Sequence, residues 1–105
     1  GYNVYPKEVE TEIDEMPGVV ESAVIGCPHP DFGEGVTAVV VVKPGATITA
    51  ASIASALEQR LAKFKQPKQV FVVQDLPRNT MGKVQKNLLR EQYKDIYARQ
   101  MKAGE

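Results

Sequence analysis

A chain of 105 residues, 43% of them hydrophobic, suits one compact domain with a real core, and its zero net charge gives no global case for nucleic acid. Cys27 is alone, so an intrachain disulfide is excluded and the residue is expected to pack as a small apolar group. No apolar run nears the roughly eighteen residues of a membrane span and no signal-peptide pattern opens the chain, so the expected location is cytoplasmic.

The opening "GYNVYPKEVE" has no initiator methionine and reads as a piece of something longer. Pro6 fits the first turn of a helix, and Val9, Ile13 and Met16 follow at helical spacing with carboxylates turned outward. "MPG" at 16–18 stops that helix. "VVESAVIGCP" (19–28) reads as a strand, "HPDFGEG" (29–35) as a loop holding His29 and Glu34, and "VTAVVVVK" (36–43) as a second strand buried on both faces. After the "KPGA" turn, Thr49 caps a helix with Ile53, Leu57 and Leu61 on one face. "FKQPK" breaks it, and "QVFVV" (69–73) is a third strand. Beyond "DLPRNTMGK", the residues Val84, Leu88, Leu89, Tyr93, Ile96 and Tyr97 form the stripe of a long last helix. The order αββαβα predicts an α+β fold, a small mainly antiparallel three-stranded sheet packed against helices.

The zero net charge hides a split. Residues 1–43 carry two Lys/Arg against eight Asp/Glu, and residues 44–105 carry eleven against five, giving −6 and +6. Such a field either orients the domain against a charged partner or reflects helix surfaces that differ in charge.

Chemistry-bearing patterns are sparse. One His and one Cys make no metal cluster, and Ser22, Ser52 and Ser55 lie on predicted regular elements without a histidine partner. The glycines match neither common phosphate-binding loop. Lysines in loops remain: Lys63, Lys65 and Lys68 around Pro67, and Lys83 after the glycine of "RNTMGK". Lysine is a mobile point charge suited to phosphate and carboxylate.

Three segments, "GYNVYPKEVE" (1–10), "VIGCPHPDFGEGVTAVVV" (24–41) and "LPRNTMGKVQKNLLRE" (76–91), together resemble the C-terminal domain of adenylate-forming acyl-CoA synthetases. Within that superfamily "MPGVVESAVIG", "LAKFKQPK" and the stretch through "NLLRE" most resemble malonyl-CoA synthetases. The resemblance implies a mobile lid over residues 1–105, with a large N-terminal domain upstream as its partner. Such an enzyme activates a carboxylic acid with ATP and Mg2+ to an acyl-adenylate, then passes the acyl group to CoA. The small domain rotates between the two half-reactions.

Residue by residue, the resemblance implies that Lys83, delivered on a flexible loop, is the catalytic lysine of adenylation, with Gly82 as support. Gly1 and Tyr2, with Asn3, match the segment beside the pantetheine arm of CoA. Phe64 would lie on adenine and Lys68 would pair with phosphate, while Gln66 stands where some relatives carry arginine. No metal ligand is implied. The isolated domain is expected to be inactive, and acetylation of Lys83 by a lysine acetyltransferase, reversed by a deacetylase, would control it. Two alternatives stand beside the malonate reading: the same chemistry on a short- or medium-chain fatty or aryl acid, and a free-standing module binding nucleotides or RNA.

Overall fold

The computed structural model describes residues 4–31 and 33–98. Its order is α1 (Pro6–Asp14), β1 (Val19–His29), β2 (Gly33–Val42), α2 (Ala50–Glu58), a 3-10 turn (Lys63–Lys65), β3 (Gln69–Val73) and α3 (Lys86–Tyr93), the expected α+β succession. Pro6 opens α1 without losing a hydrogen bond the helix needs. Thr49 caps α2 in a reciprocal box: its hydroxyl accepts from the Ser52 N–H at 3.1 Å, and the Ser52 hydroxyl accepts from the Thr49 N–H at 2.9 Å.

The sheet order is β1-β2-β3 and the sheet is mixed. β1 and β2 form a long antiparallel pair from Val19–Val42 to His29–Gly33, and β3 joins β2 in parallel from Gln69–Thr37 to Val73–Val41. Parallel pairing follows from the connection, because a helical crossover through α2 returns the chain to the end of the sheet where β2 began. His29 and Glu34, expected in a loop, instead lie in the paired ends of the hairpin, opposite Gly33 and Pro28. Strand pairing there overrides the weak strand preference of Gly33, Glu34 and Gly35.

The inner strand β2 is buried on both faces, as its apolar run requires. On one face Val9, Ile13 and Met16 of the α1 region and Ile53 and Leu57 of α2 pack on Val24, Ala38 and Val40. On the other, Leu76, Leu89 and Tyr97 pack on Ala23, Ile25, Cys27, Val39 and Val41. The predicted last helix is shorter than its stripe. α3 stops at Tyr93, a turn takes 94–95, and helix resumes at 96–98. Leu88 is 48% exposed while Leu89 is buried, and Val84 pairs as an isolated bridge with Arg78.

The charge split has a structural counterpart. Carboxylates of the acidic first half pair with basic residues of the second: Glu12 and Glu15 with Arg60, Glu8 with Lys65, Glu21 with Arg78, and Glu10 with Lys86. The asymmetry along the chain is thus partly neutralised in space, tying α1 and β1 to the later elements.

Burial pushes the Cys27 thiol and the Tyr93 and Tyr97 phenols above their ordinary values of 9.0 and 10.0. Each is neutral when protonated, so above those values the unfolded chain releases protons that the fold retains. The associated stability is fully present below pH 9.0 and is lost as pH rises through the folded values. Urea denaturation of the chain is expected to show a midpoint that falls between about pH 8 and about pH 10.5; an unchanged midpoint would contradict the burial of these groups. Among the described residues no helix is long and apolar enough to cross a membrane.

Candidate functional site

Lys83 sits on a small hairpin between β3 and α3, three residues ahead of the helix rather than at its start. Its framework is a nearly closed set of bonds around Asn79. The Asn79 N–H donates to the Lys83 carbonyl at 3.0 Å, and the Gly82 N–H donates to the Asn79 carbonyl at 2.9 Å. The Asn79 side-chain oxygen accepts the N–H groups of Met81 at 2.9 Å and Lys83 at 3.0 Å. Gly82 has φ +83°, a left-handed conformation that a side chain would strain, so its supporting role is to turn the backbone. Below the turn, the Arg78–Val84 bridge and the bond from the Gln85 N–H to the Pro77 carbonyl, 2.8 Å, close the hairpin.

The backbone of the hairpin is braced, and the freedom lies in the Lys83 side chain, which is exposed and holds no ion pair with any described residue. Its basic neighbours Arg78 and Lys86 are both paired. Met81 stands at the tip, 89% exposed.

The second predicted cluster is built differently. Lys63–Lys65 form the 3-10 turn, which leaves Phe64 42% exposed. Lys65 Nζ lies 2.7 and 2.9 Å from the two oxygens of Glu8 on α1 and 5.6 Å from the centroid of the Phe64 ring. Lys68 is exposed at the head of β3, its N–H donating to the Val36 carbonyl at 2.8 Å. A cavity of about 210 Å³ beside it is lined by Ala50, Ala51 and Ala54 of α2 with Pro67, Gln69 and Val70. The Gln66 amide turns back to the Leu61 carbonyl at 3.0 Å.

The two clusters are not brought together. Lys68 precedes β3 and the Lys83 hairpin follows it, so five residues of strand, about 17 Å, separate the two ends. Gly1, Tyr2 and Asn3 lie outside the described residues. His29 is spent on structure: its Nδ1 accepts the Asp31 N–H at 3.0 Å, and its ring lies 4.9 Å from that of Tyr97. Ser22 donates to Asp14 at 2.8 Å, and Ser52 belongs to the α2 cap. Among the described residues no group of three or more His, Cys, Asp or Glu side chains could hold a metal ion.

Sequence reasoning passed over Asn79. Its position ahead of a glycine turn is the signature of a side chain that bonds its own backbone, and that signal was readable. The partnership of Arg78 with Glu21, 57 residues away, carried no local signal.

The profile of the AMP-binding enzyme C-terminal domain matches residues 8–83. The 3-[(3aS,4S,7aS)-7a-methyl-1,5-dioxo-octahydro-1H-inden-4-yl]propanoyl:CoA ligase of Rhodococcus jostii is 50% identical over 94 residues, covering 90% of this chain and 18% of the ligase. The long-chain-fatty-acid–CoA ligase FadD13 of Mycobacterium tuberculosis is 44% identical over 93 residues, covering 89% and 18%. Among solved structures, apo MatB from Rhodopseudomonas palustris matches with a TM-score of 0.90 at 73% identity, covering 92% of this chain and 19% of MatB; ATP-bound MatB matches equally well in fold. The chain spans 18% of the length of each of these two ligases.

Proposed function

Because the chain belongs to the AMP-binding enzyme C-terminal domain family, we propose that it is the mobile lid of an AMP-forming acid–thiol ligase whose acid is malonate. The first half-reaction joins a carboxylate oxygen of the acid to the α-phosphorus of ATP and expels pyrophosphate. In the second, the CoA thiol attacks the acyl carbon of the adenylate, loses its proton and expels AMP. Residues 1–105 form the C-terminal domain, and a larger N-terminal domain holds the acid.

Lys83 serves the first step. Carboxylate and α-phosphate repel as they approach, and negative charge builds on the phosphoryl oxygens. An ammonium carried on a braced backbone stabilises that charge with only its own side chain left to be ordered. The observation that carries this reading is the braced, ion-pair-free Lys83 at the end of the family-matched span 8–83. Phe64 and Lys68 serve the second step, against the adenine and a phosphate of CoA, and Gly1 and Tyr2 line the pantetheine arm. The turn of Phe64 and Lys68 stands at the opposite end of β3 from Lys83. A domain so arranged presents the two ends to one centre by turning between half-reactions.

ATP enters as its Mg2+ complex, and no residue of this chain is assigned to the metal. The domain by itself holds half of a site and is inactive. The enzyme works in the cytoplasm, and acetylation of Lys83 by a lysine acetyltransferase removes the charge adenylation needs. Mass spectrometry finding no acetyl group there under any growth condition would remove that regulation.

Malonate is supported by the resemblance of "MPGVVESAVIG" and "LAKFKQPK" to malonyl-CoA synthetases, and 73% identity to MatB against 50% and 44% to the two ligases agrees with it. An acid panel on the full-length enzyme, read by AMP release with CoA present, is expected to give the highest kcat/KM with malonate. Preference for acetate, a fatty acid or benzoate would overturn the substrate while leaving the reaction class intact.

A further inference from the structure

A lysine side chain is long and flexible, so the accuracy with which its ammonium meets a phosphate depends on how firmly the backbone behind it is held. The bonds around Asn79 fix the shape of the hairpin but not its place on the domain. Leu76, Val84 and Leu89 pack the flanking chain onto the sheet, and two ion pairs, one on each flank, hold the hairpin beyond that packing.

On the entering flank the Arg78 guanidinium pairs with the Glu21 carboxylate of β1. Its Nη1 also donates to the Gly82 carbonyl at 3.1 Å, one residue from Lys83. A single planar group thus links the strand to the turn, as a fork of several donors can and an ammonium cannot. On the leaving flank Lys86 Nζ lies 2.8 Å from Glu10 Oε2. The same oxygen accepts the N–H of Val24 at 2.8 Å, on the side of β1 that no described strand pairs, and the Glu10 side chain is only 13% exposed. Glu10 therefore ties α1, β1 and the start of α3 at one atom.

We propose that Glu21 and Glu10 are positioning residues for adenylation: acting through Arg78 and Lys86, they seat the hairpin so that Lys83 meets the reacting phosphate in register. The proposal rests on the adenylation role given to Lys83. If the pairs served stability alone, little would be expected of Glu21, because part-exposed ion pairs contribute little net stability. Seating is more demanding, since a displacement of about 1 Å in an aligned group can cost about a hundredfold in rate.

The test uses the full-length enzyme with its preferred acid and measures the half-reactions separately: ATP–pyrophosphate exchange for adenylation, and thioester formation from supplied acyl-adenylate and CoA. Glu21→Gln and Glu10→Gln keep side-chain size while removing charge. Each is expected to lower exchange by about tenfold, and the pair by up to about a hundredfold, with the thioester half-reaction within about twofold of wild type. That second rate also reports that the variant is folded. Exchange at the wild-type rate in both single variants would overturn the proposal, as would an equal fall in both half-reactions, which marks a purely structural role. Lys83→Ala runs alongside. If it loses exchange while the glutamate variants keep it, the clamp fails alone; if it also keeps exchange, the role of Lys83 fails and takes the clamp with it.

Discussion

Lys83→Ala in the full-length enzyme is expected to lower ATP–pyrophosphate exchange by about 10²–10³-fold, or about 3–4 kcal/mol of transition-state stabilisation. Thioester formation from supplied acyl-adenylate should persist, because the bond between carboxylate and phosphorus is already made before the second step and, on the proposed rotation, the other end of the domain then faces the centre. The magnitude is that of losing one positioned charge at a phosphoryl transition state, and the bonds of Asn79 to the Lys83 backbone fix the point from which that charge reaches. Exchange surviving near the wild-type rate would remove Lys83 from the mechanism. The converse split is expected of Phe64→Ala and Lys68→Ala: a raised KM for CoA with exchange unchanged. A shift in exchange there would mean that the turn at Lys63–Lys65 is not specific to the second step. Acetylated Lys83 should behave as the alanine variant does, since both lack the ammonium.

What was legible in the sequence was what local chemistry dictates. Pro6, Thr49 and the β-branched run of β3 placed two helix starts and one strand correctly, because each signal acts within a few residues of itself. The apolar run of β2 announced burial on both faces, and the helices do cover both. The parallel pairing of β3 was less evident, although a crossover containing a helix points to it. The last helix misled because its stripe begins ahead of the helix at Val84 and runs on across the turn at 94–95; Leu88 and Leu89 are chemically alike and only packing separates them. At the site, Lys83 was singled out by resemblance, since composition alone leaves it one lysine among several. The clamps around it join residues 57 and 76 positions apart, distances at which no periodicity speaks. The even-handed expectation about the charge split is partly decided by the same pairs: many of the early carboxylates are engaged within the domain rather than waiting for a partner.

The largest effect on stability is expected at Tyr97, and its sign can be checked against a glycine 62 residues earlier. Tyr97 is 2% exposed, packed with Ala23, Cys27 and Leu89, and its hydroxyl lies 2.9 Å from Thr37 Oγ1 and donates to the Val36 carbonyl at 3.3 Å. Tyr97→Ala should cost about 3–5 kcal/mol, as large aromatic truncations in cores do, a large part of a small domain's stability. Tyr97→Phe should cost about 1 kcal/mol, because Thr37 keeps its bond to the Gly35 carbonyl at 3.1 Å. The ring leaves no room beneath it: a Cβ on Gly35 would stand 2.7 Å from the Tyr97 ring. Gly35→Ala should therefore destabilise by about 1–3 kcal/mol in the wild-type chain. In a Tyr97→Ala background the same substitution meets a cavity instead of a ring, so its cost should largely vanish and the two changes should be strongly non-additive. Urea denaturation of the four chains reads the coupling directly. Additive losses would mean that the segment 96–98 does not hold Tyr97 over Gly35, and the second face of the sheet would then need another closure.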